Sequence, residues 1–136
     1  MKDLETASGE LLLNLLLFTV GGVCFAVDAE QVDGLSGYFP EEQEGLLWFH
    51  ELLRFGGKEA VYRAPTVLSI KRAGSGSCQV VIDNMEDIAE YNASGIVPLP
   101  ALIEPFAVRN GIWGALKRDS ALTLLVDFYR IANLPA

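Results

Sequence analysis

Between Leu11 and Val27 the only polar side chains are Asn14 and Thr19, and the run is interrupted by Gly21-Gly22. Two apolar stretches, Leu13 to Val20 and Val23 to Val27, flank two residues that tolerate positive φ. That arrangement predicts a hairpin of buried strands. A signal peptide or a membrane span is the competing reading. The run is at the short end of what crosses a bilayer. The leader before it, Met1 to Glu10, carries three acids and one lysine, the wrong sign for a secretory n-region. The strand reading is preferred, with no membrane insertion.

After Asp28, the polar Glu30, Gln31 and Asp33 surround Val32 and Leu35, which fits a short turn and an edge strand. Residues 34–45 read as a solvated loop, with Gly34, Gly37, Pro40 and Gly45 and the acids Glu41, Glu42 and Glu44. Leu46 to Phe55 predicts a strand and then one short helix carrying Trp48 or Phe49 with Leu52, Leu53 and Phe55, stopped by Gly56-Gly57. Val67, Leu68 and Ile70 alternate with polar residues up to Gly74-Ser75-Gly76-Ser77. Gln79 to Ile82 follows, so this is a second hairpin. Residues 83–110 are mixed, and Pro98, Pro100 and Pro105 rule out a long helix. Ile112 to Leu116 and Leu122 to Val126 form a third hairpin across Arg118-Asp119-Ser120. Phe128 to Ile131 is a closing turn or short helix.

The pattern predicts a mostly β chain of short strands with one or two short helices, as a small barrel or sandwich. A leader over 1–12 precedes a single domain over 13–134. A weak internal echo (apolar run, glycine turn, apolar run, Asp, then Val or Ile) spans 15–32 and 67–88. Two similar sub-barrels would produce it, and so would any two hairpins.

Composition narrows the chemistry. The chain has 136 residues, 51% of them hydrophobic, enough for a packed core. Its net charge of −8 argues against a nucleic-acid partner and against an anionic membrane surface. Cys24 and Cys78 lie far apart in apolar runs, which reads as two reduced core thiols; a disulfide would require export. There is no C-x-x-C pair, and His50 is the one histidine, so neither a metal centre nor a histidine base has partners in sequence. Gly74-Ser75-Gly76-Ser77 lacks the lysine of a phosphate loop and lies between strands. Asp83, Glu86 and Asp87 lack the alternation of a calcium loop and read as a solvated turn. Asp127, after a strand, reads as a cap or turn residue. Asn92-Ala93-Ser94 is a glycosylation sequon by pattern. Seven Phe, four Tyr and two Trp in a small β domain should leave some rings at the surface, where apolar patches mark partner interfaces.

The order of these pieces resembles the CheW-like domain, the adaptor that couples chemoreceptors to a histidine kinase. Leu17 to Val32 is similar to that family's opening hairpin, and Val67 to Ile88 to its central hairpin. Ile96-Val97-Pro98-Leu99-Pro100 matches its Pro-Leu-Pro piece. Ile112 to Ala115 and Leu122 to Tyr129 match its closing hairpin. The resemblance covers residues 13–132. It implies two intertwined five-stranded SH3-like barrels, with halves near 13–66 and 67–134 that exchange strands, and no catalysis or cofactor. It also implies a cytoplasmic adaptor whose partners are a chemoreceptor's helical tip and the kinase's regulatory domain. One departure stands out. Gly45 to Leu53 lacks the family's Pro and Asp, and Glu41-Glu42-Gln43-Glu44 replaces its Arg-Gly, so the chain is a divergent member. Val32, Leu35, Leu46 and Trp48 are the expected partner-binding residues. Two rival readings are a self-associating module and a small β-barrel enzyme using Asp83 or Asp127.

Overall fold

In the computed structural model, which describes residues 4–5, 11–53, 61–71, 76–99, 101, 107, 110–118 and 121–131, the apolar opening run is a strand buried on both faces. A short strand β1 (Leu4–Glu5) precedes it. The run itself is β2 (Leu11–Val20), which turns through Gly21 (φ 60°) and Gly22 (φ 81°) into β3 (Val23–Asp28). Both glycines occupy the left-handed region that a two-residue hairpin turn requires. Leu13, Leu15 and Leu17 face one way along β2, and Leu16, Phe18 and Val20 the other, and all six are buried. A strand packed on both sides needs no polar alternation, which is why the run looks membrane-like. Among the described residues no helix is long and apolar enough to cross a membrane.

A 3-10 turn (Ala29–Gln31) leads into β4 (Val32–Gly37). Next come β5 (Leu47–Trp48), α1 (Phe49–Leu53), and the hairpin of β6 (Pro65–Lys71) and β7 (Ser77–Asp83). Then β8 (Asp87–Asn92), a 3-10 turn (Ala93–Gly95) and β9 (Ile96–Val97) precede the hairpin of β10 (Ile112–Arg118) and β11 (Ala121–Val126). A last 3-10 turn spans Phe128–Arg130. All three expected hairpins are present, as is the strand-then-helix at Leu47 to Leu53. The reversals at Gly74-Ser75 and Asp119-Ser120, the stop at Gly56-Gly57, Phe55, Pro100, Pro105 and most of the leader lie outside the described residues.

Two expectations need correction. The loop expected from residue 34 begins after Gly37, because β4 continues that far against β6. The mixed stretch after Asp83 contains β8 and β9. Its prolines forbid a helix but not strands ahead of them. The face of β8 that meets Leu13, Leu15 and Leu17 carries Asp87, Ala89 and Tyr91, an acid and a small residue ahead of the ring, and the other carries exposed Ile88 and Glu90, so neither announces a buried face.

The first sheet runs β1-β2-β3-β11-β10-β9, with β8 paired to β2. Because β8 and β9 are joined through Ala93–Gly95, one bent strand pairs with β2 at one end and with β10 at the other, closing the sheet into a barrel. The second sheet runs β4-β6-β7-β5. The connections are reciprocal: β4 leaves the β2–β3 hairpin to pair with β6, and β8 leaves the β6–β7 hairpin to pair with β2. Each hairpin also holds a parallel strand against its second member, β11 on β3 and β5 on β7. The fold is thus mostly β and intertwined, as expected, with four strands in the second sheet among the described residues. The echo between 15–32 and 67–88 marks equivalent positions in this arrangement.

Two cores result. One fills the first barrel with Leu13, Leu15, Leu17, Ala26, Leu116 and Leu125. The larger lies between the sheets and centres on four fully buried rings, Phe18, Phe25, Phe49 and Phe128. Phe49 meets Phe18 edge-on at 4.9 Å, Phe25 at 4.7 Å and Phe128 at 6.1 Å. Such pairs add roughly 0.5–1.5 kcal/mol each beyond burial. The short α1 therefore serves to deliver Phe49, Leu52 and Leu53 into the intersheet core. The two thiols lie in different sheets and are not joined by a disulfide, Cys24 half-buried on β3 and Cys78 buried on β7.

Candidate partner interface

β4 and β5 are the opposite edges of the second sheet, and the acidic loop that follows β4 starts at Tyr38, which packs on Trp48 of β5. Register places the expected contact residues. Val32 pairs with Ile70 and Leu35 with Leu68, so both look toward the intersheet core. Val32 is half-buried against that core, whereas Leu35 stays 43% exposed, because β4 has one strand neighbour, β6. Leu46 is half-buried just before β5. Trp48 pairs with Val81, one step on from Leu47 and Val80, and so points to the opposite face of the sheet. The four expected residues are therefore divided between two faces rather than gathered on one.

Around Trp48 stand rings that the sequence reading passed over. Trp48 packs edge-on against Tyr38 at 5.4 Å and Tyr62 at 4.9 Å. Beside them Phe39 is 57% and Val61 77% exposed. The adjacent pairs Tyr38-Phe39 and Val61-Tyr62, each next to a polar stretch, were the available signal. The loop is shaped by Gln43, whose carboxamide accepts from Phe39 N–H (2.7 Å) and donates to Gly37 carbonyl (3.1 Å). That fold leaves Glu41, Glu42 and Glu44 exposed next to Phe39.

His50 is half-buried and belongs to this group. Its backbone N–H donates to the Tyr62 hydroxyl at 3.2 Å, and its Nδ1 lies 3.0 Å from the same oxygen. Burial, followed by the charges of Asp83 and Glu51, pushes the Tyr62 phenol up to about 12, against the lowering effect of the His50 N–H.

The acids considered for catalysis have structural partners. Asp83 is buried, not part of a solvated turn as expected. Its carboxylate accepts from Arg63 N–H (3.1 Å to each oxygen) and Ala64 N–H (2.6 Å), pinning the chain that enters β6. Asp127 caps the last 3-10 turn through Tyr129 N–H (3.0 Å), accepts from Gln31 Nε2 (2.8 Å) and pairs with Arg130 (3.1 Å). Asp87 opens β8 rather than a turn. Among the described residues no group of three His, Cys, Asp or Glu is placed to hold a metal.

Closed first barrel, exchanged strands and parallel additions define an intertwined two-sheet β architecture. The scaffolding protein TtCheW from Thermoanaerobacter tengcongensis has the same fold, with a TM-score of 0.62 at 12% identity over 85% of this chain and 84% of that one. No family model matches the sequence, and no curated protein matches it.

Proposed function

We propose that this chain is a non-enzymatic, cytoplasmic scaffold in chemosensory signalling, joining a receptor's helical tip to the regulatory domain of a histidine kinase. The observation that carries this reading is the shared architecture with the scaffolding protein CheW across most of both chains. The β4 edge of the second sheet supports it. Leu35, on the same face as half-buried Val32, offers an apolar rim to a helix, while Leu46 and Trp48 belong to the opposite, β5 edge, where Trp48 anchors an aromatic group. Glu41, Glu42 and Glu44 beside Phe39 favour a partner helix with basic residues around its apolar stripe. This acidic loop suits a non-standard receptor partner. The structural roles of Asp83 and Asp127 leave the enzyme alternative without its acids.

The test is capture of the purified chain by an immobilised kinase regulatory domain and by a receptor-tip fragment, each assayed separately. Leu35→Glu should cut binding at least tenfold with an unchanged melting temperature. Full retention by Leu35→Glu would remove the β4 edge from the interface, and no retention of the parent chain by either bait would end the adaptor reading. Light scattering, alone and with the tip, distinguishes pairing with that tip from self-association.

A further inference from the structure

Phe39 is a large ring held at the surface by its own loop. Phe39-Pro40-Glu41-Glu42 is a turn closed by the Glu42 N–H, which donates to the Phe39 carbonyl at 2.9 Å. Proline at the second position pre-sets the backbone for such a turn. The Phe39 N–H is taken by the Gln43 carboxamide, whose nitrogen reaches back to the Gly37 carbonyl. The ring itself lies against Gly37: a Cβ there would stand 2.9 Å from Phe39 Cε2 and 3.1 Å from Cζ. One side of the ring is thus set on backbone, and more than half of the residue still meets solvent. Its neighbour Tyr38 begins a run of touching rings, Tyr38, Trp48 and Tyr62, that ends beside exposed Val61.

Three carboxylates share that loop. Glu41 and Glu42 are the third and fourth residues of the turn that Phe39 opens, which keeps the Phe39 and Glu42 Cα atoms within about 7 Å. Glu44 follows two residues on. All three are exposed, and none is in an ion pair among the described residues, whereas Glu86 and Asp127 are matched by Arg118 and Arg130. The face of an aromatic ring attracts a cation, and a carboxylate nearby can hold the same cation from the side.

We propose that this loop captures an arginine of a partner protein, the guanidinium stacked on Phe39 and paired with Glu41 or Glu42, in a segment whose apolar residues lie along the rings toward Val61. Lysine serves less well. Its ammonium is a compact, strongly hydrated charge, whereas a guanidinium is planar, weakly hydrated and able to stack and bridge a carboxylate at once. An acidic or phosphorylated partner is repelled by the three carboxylates and by the net charge of −8. A second copy of this chain, paired through the same loop, would set acid against acid. The inference deepens the adaptor reading by naming the side chain the partner brings, and rests on that reading for the partner's identity.

The test titrates the full chain into two blocked, fluorescein-labelled peptides, one of three Leu-Arg-Ala repeats and the other its lysine counterpart, and follows fluorescence anisotropy. The parent chain should bind the arginine peptide about two- to fivefold more tightly, the size of one exposed cation–π contact. Phe39→Leu should bring the arginine peptide down to the lysine level, and Phe39→Tyr should keep the preference. Both alter an exposed ring and should melt with the parent. Gln43→Ala, which leaves the ring and every charge in place but releases the loop, should narrow the preference. Glu41→Gln combined with Glu42→Gln should weaken both peptides. Equal affinity of the parent for the two peptides, or a preference that survives Phe39→Leu, overturns the site. Should either result come with capture of the parent chain by the receptor-tip or kinase bait, the arginine site falls and the adaptor reading stands.

Discussion

Three short side chains decide where strands end. Asp28, Asn92 and Asp127 each accept a hydrogen bond from the N–H two residues on, at 2.9, 2.9 and 3.0 Å, and each begins a 3-10 turn that releases the chain into a Val or Ile four residues later. Asn92 of the sequon is one of these caps. Replacing Asp127 by Ala also removes the acceptor of Gln31 Nε2, so a loss of about 1–2 kcal/mol is expected in urea unfolding. Asp83→Ala strands the Arg63 and Ala64 N–H groups and should cost roughly 1–3 kcal/mol by the same measurement. Tyr62 gives a pH signature. Its unfolded phenol ionises near the ordinary 10.0 and its folded one at about 12. Its contribution to stability is therefore complete below pH 10 and is lost as pH rises through 12. Unfolding midpoints followed across that window should fall, and the part of the fall due to Tyr62 should vanish in Tyr62→Phe.

At the scale of elements, the sequence made the hairpins legible because each has two apolar runs about a turn, and the first turn shows its glycines. It also placed β5 and α1, since Trp48-Phe49 followed by Leu52-Leu53 shifts from strand to helix spacing. Strand β8 stayed hidden because half its residues meet water and its inward side mixes Asp87 and Ala89 with Tyr91. The candidate interface was only half legible. Leu35 and Trp48 were visible as apolar residues, but their placement on opposite faces follows from pairing partners far along the chain, Leu68 and Val81. The [Asp/Asn]-x-x-x-[Val/Ile] spacing shared by Asp28, Asn92 and Asp127 was present in the sequence. The echo drawn with Asp83 and Ile88 used a different spacing and so missed it. Gly111, opening the β10 hairpin, is tightly constrained. At φ +80° a Cβ would sit 2.6 Å from Ile131 Cγ1 and 2.8 Å from the Asp127 carbonyl oxygen. Gly111→Ala should cost roughly 2–4 kcal/mol, combining left-handed strain with overpacking, and thermal unfolding would register it as a large drop in midpoint.

The whole molecule has one tryptophan in each sheet, Trp48 on β5 and Trp113 on β10. Because β4 and β8 are traded between the sheets and both pack on the four-phenylalanine core, neither sheet completes without the other. Single-tryptophan variants, Trp48→Phe and Trp113→Phe, should give superimposable fluorescence unfolding curves in denaturant; separate midpoints would mean the sheets melt independently. The same crossing has a practical result. A cut in the surface loop between Tyr38 and Leu46 leaves β4 on the shorter piece but seated beside β6 of the longer one, while β8 of the longer piece stays seated beside β2 of the shorter. Each piece then holds the other like the links of a chain. The nicked protein should migrate as one species under native conditions, and the two halves, expressed apart, should make a self-assembling tag that reports when two fused proteins meet.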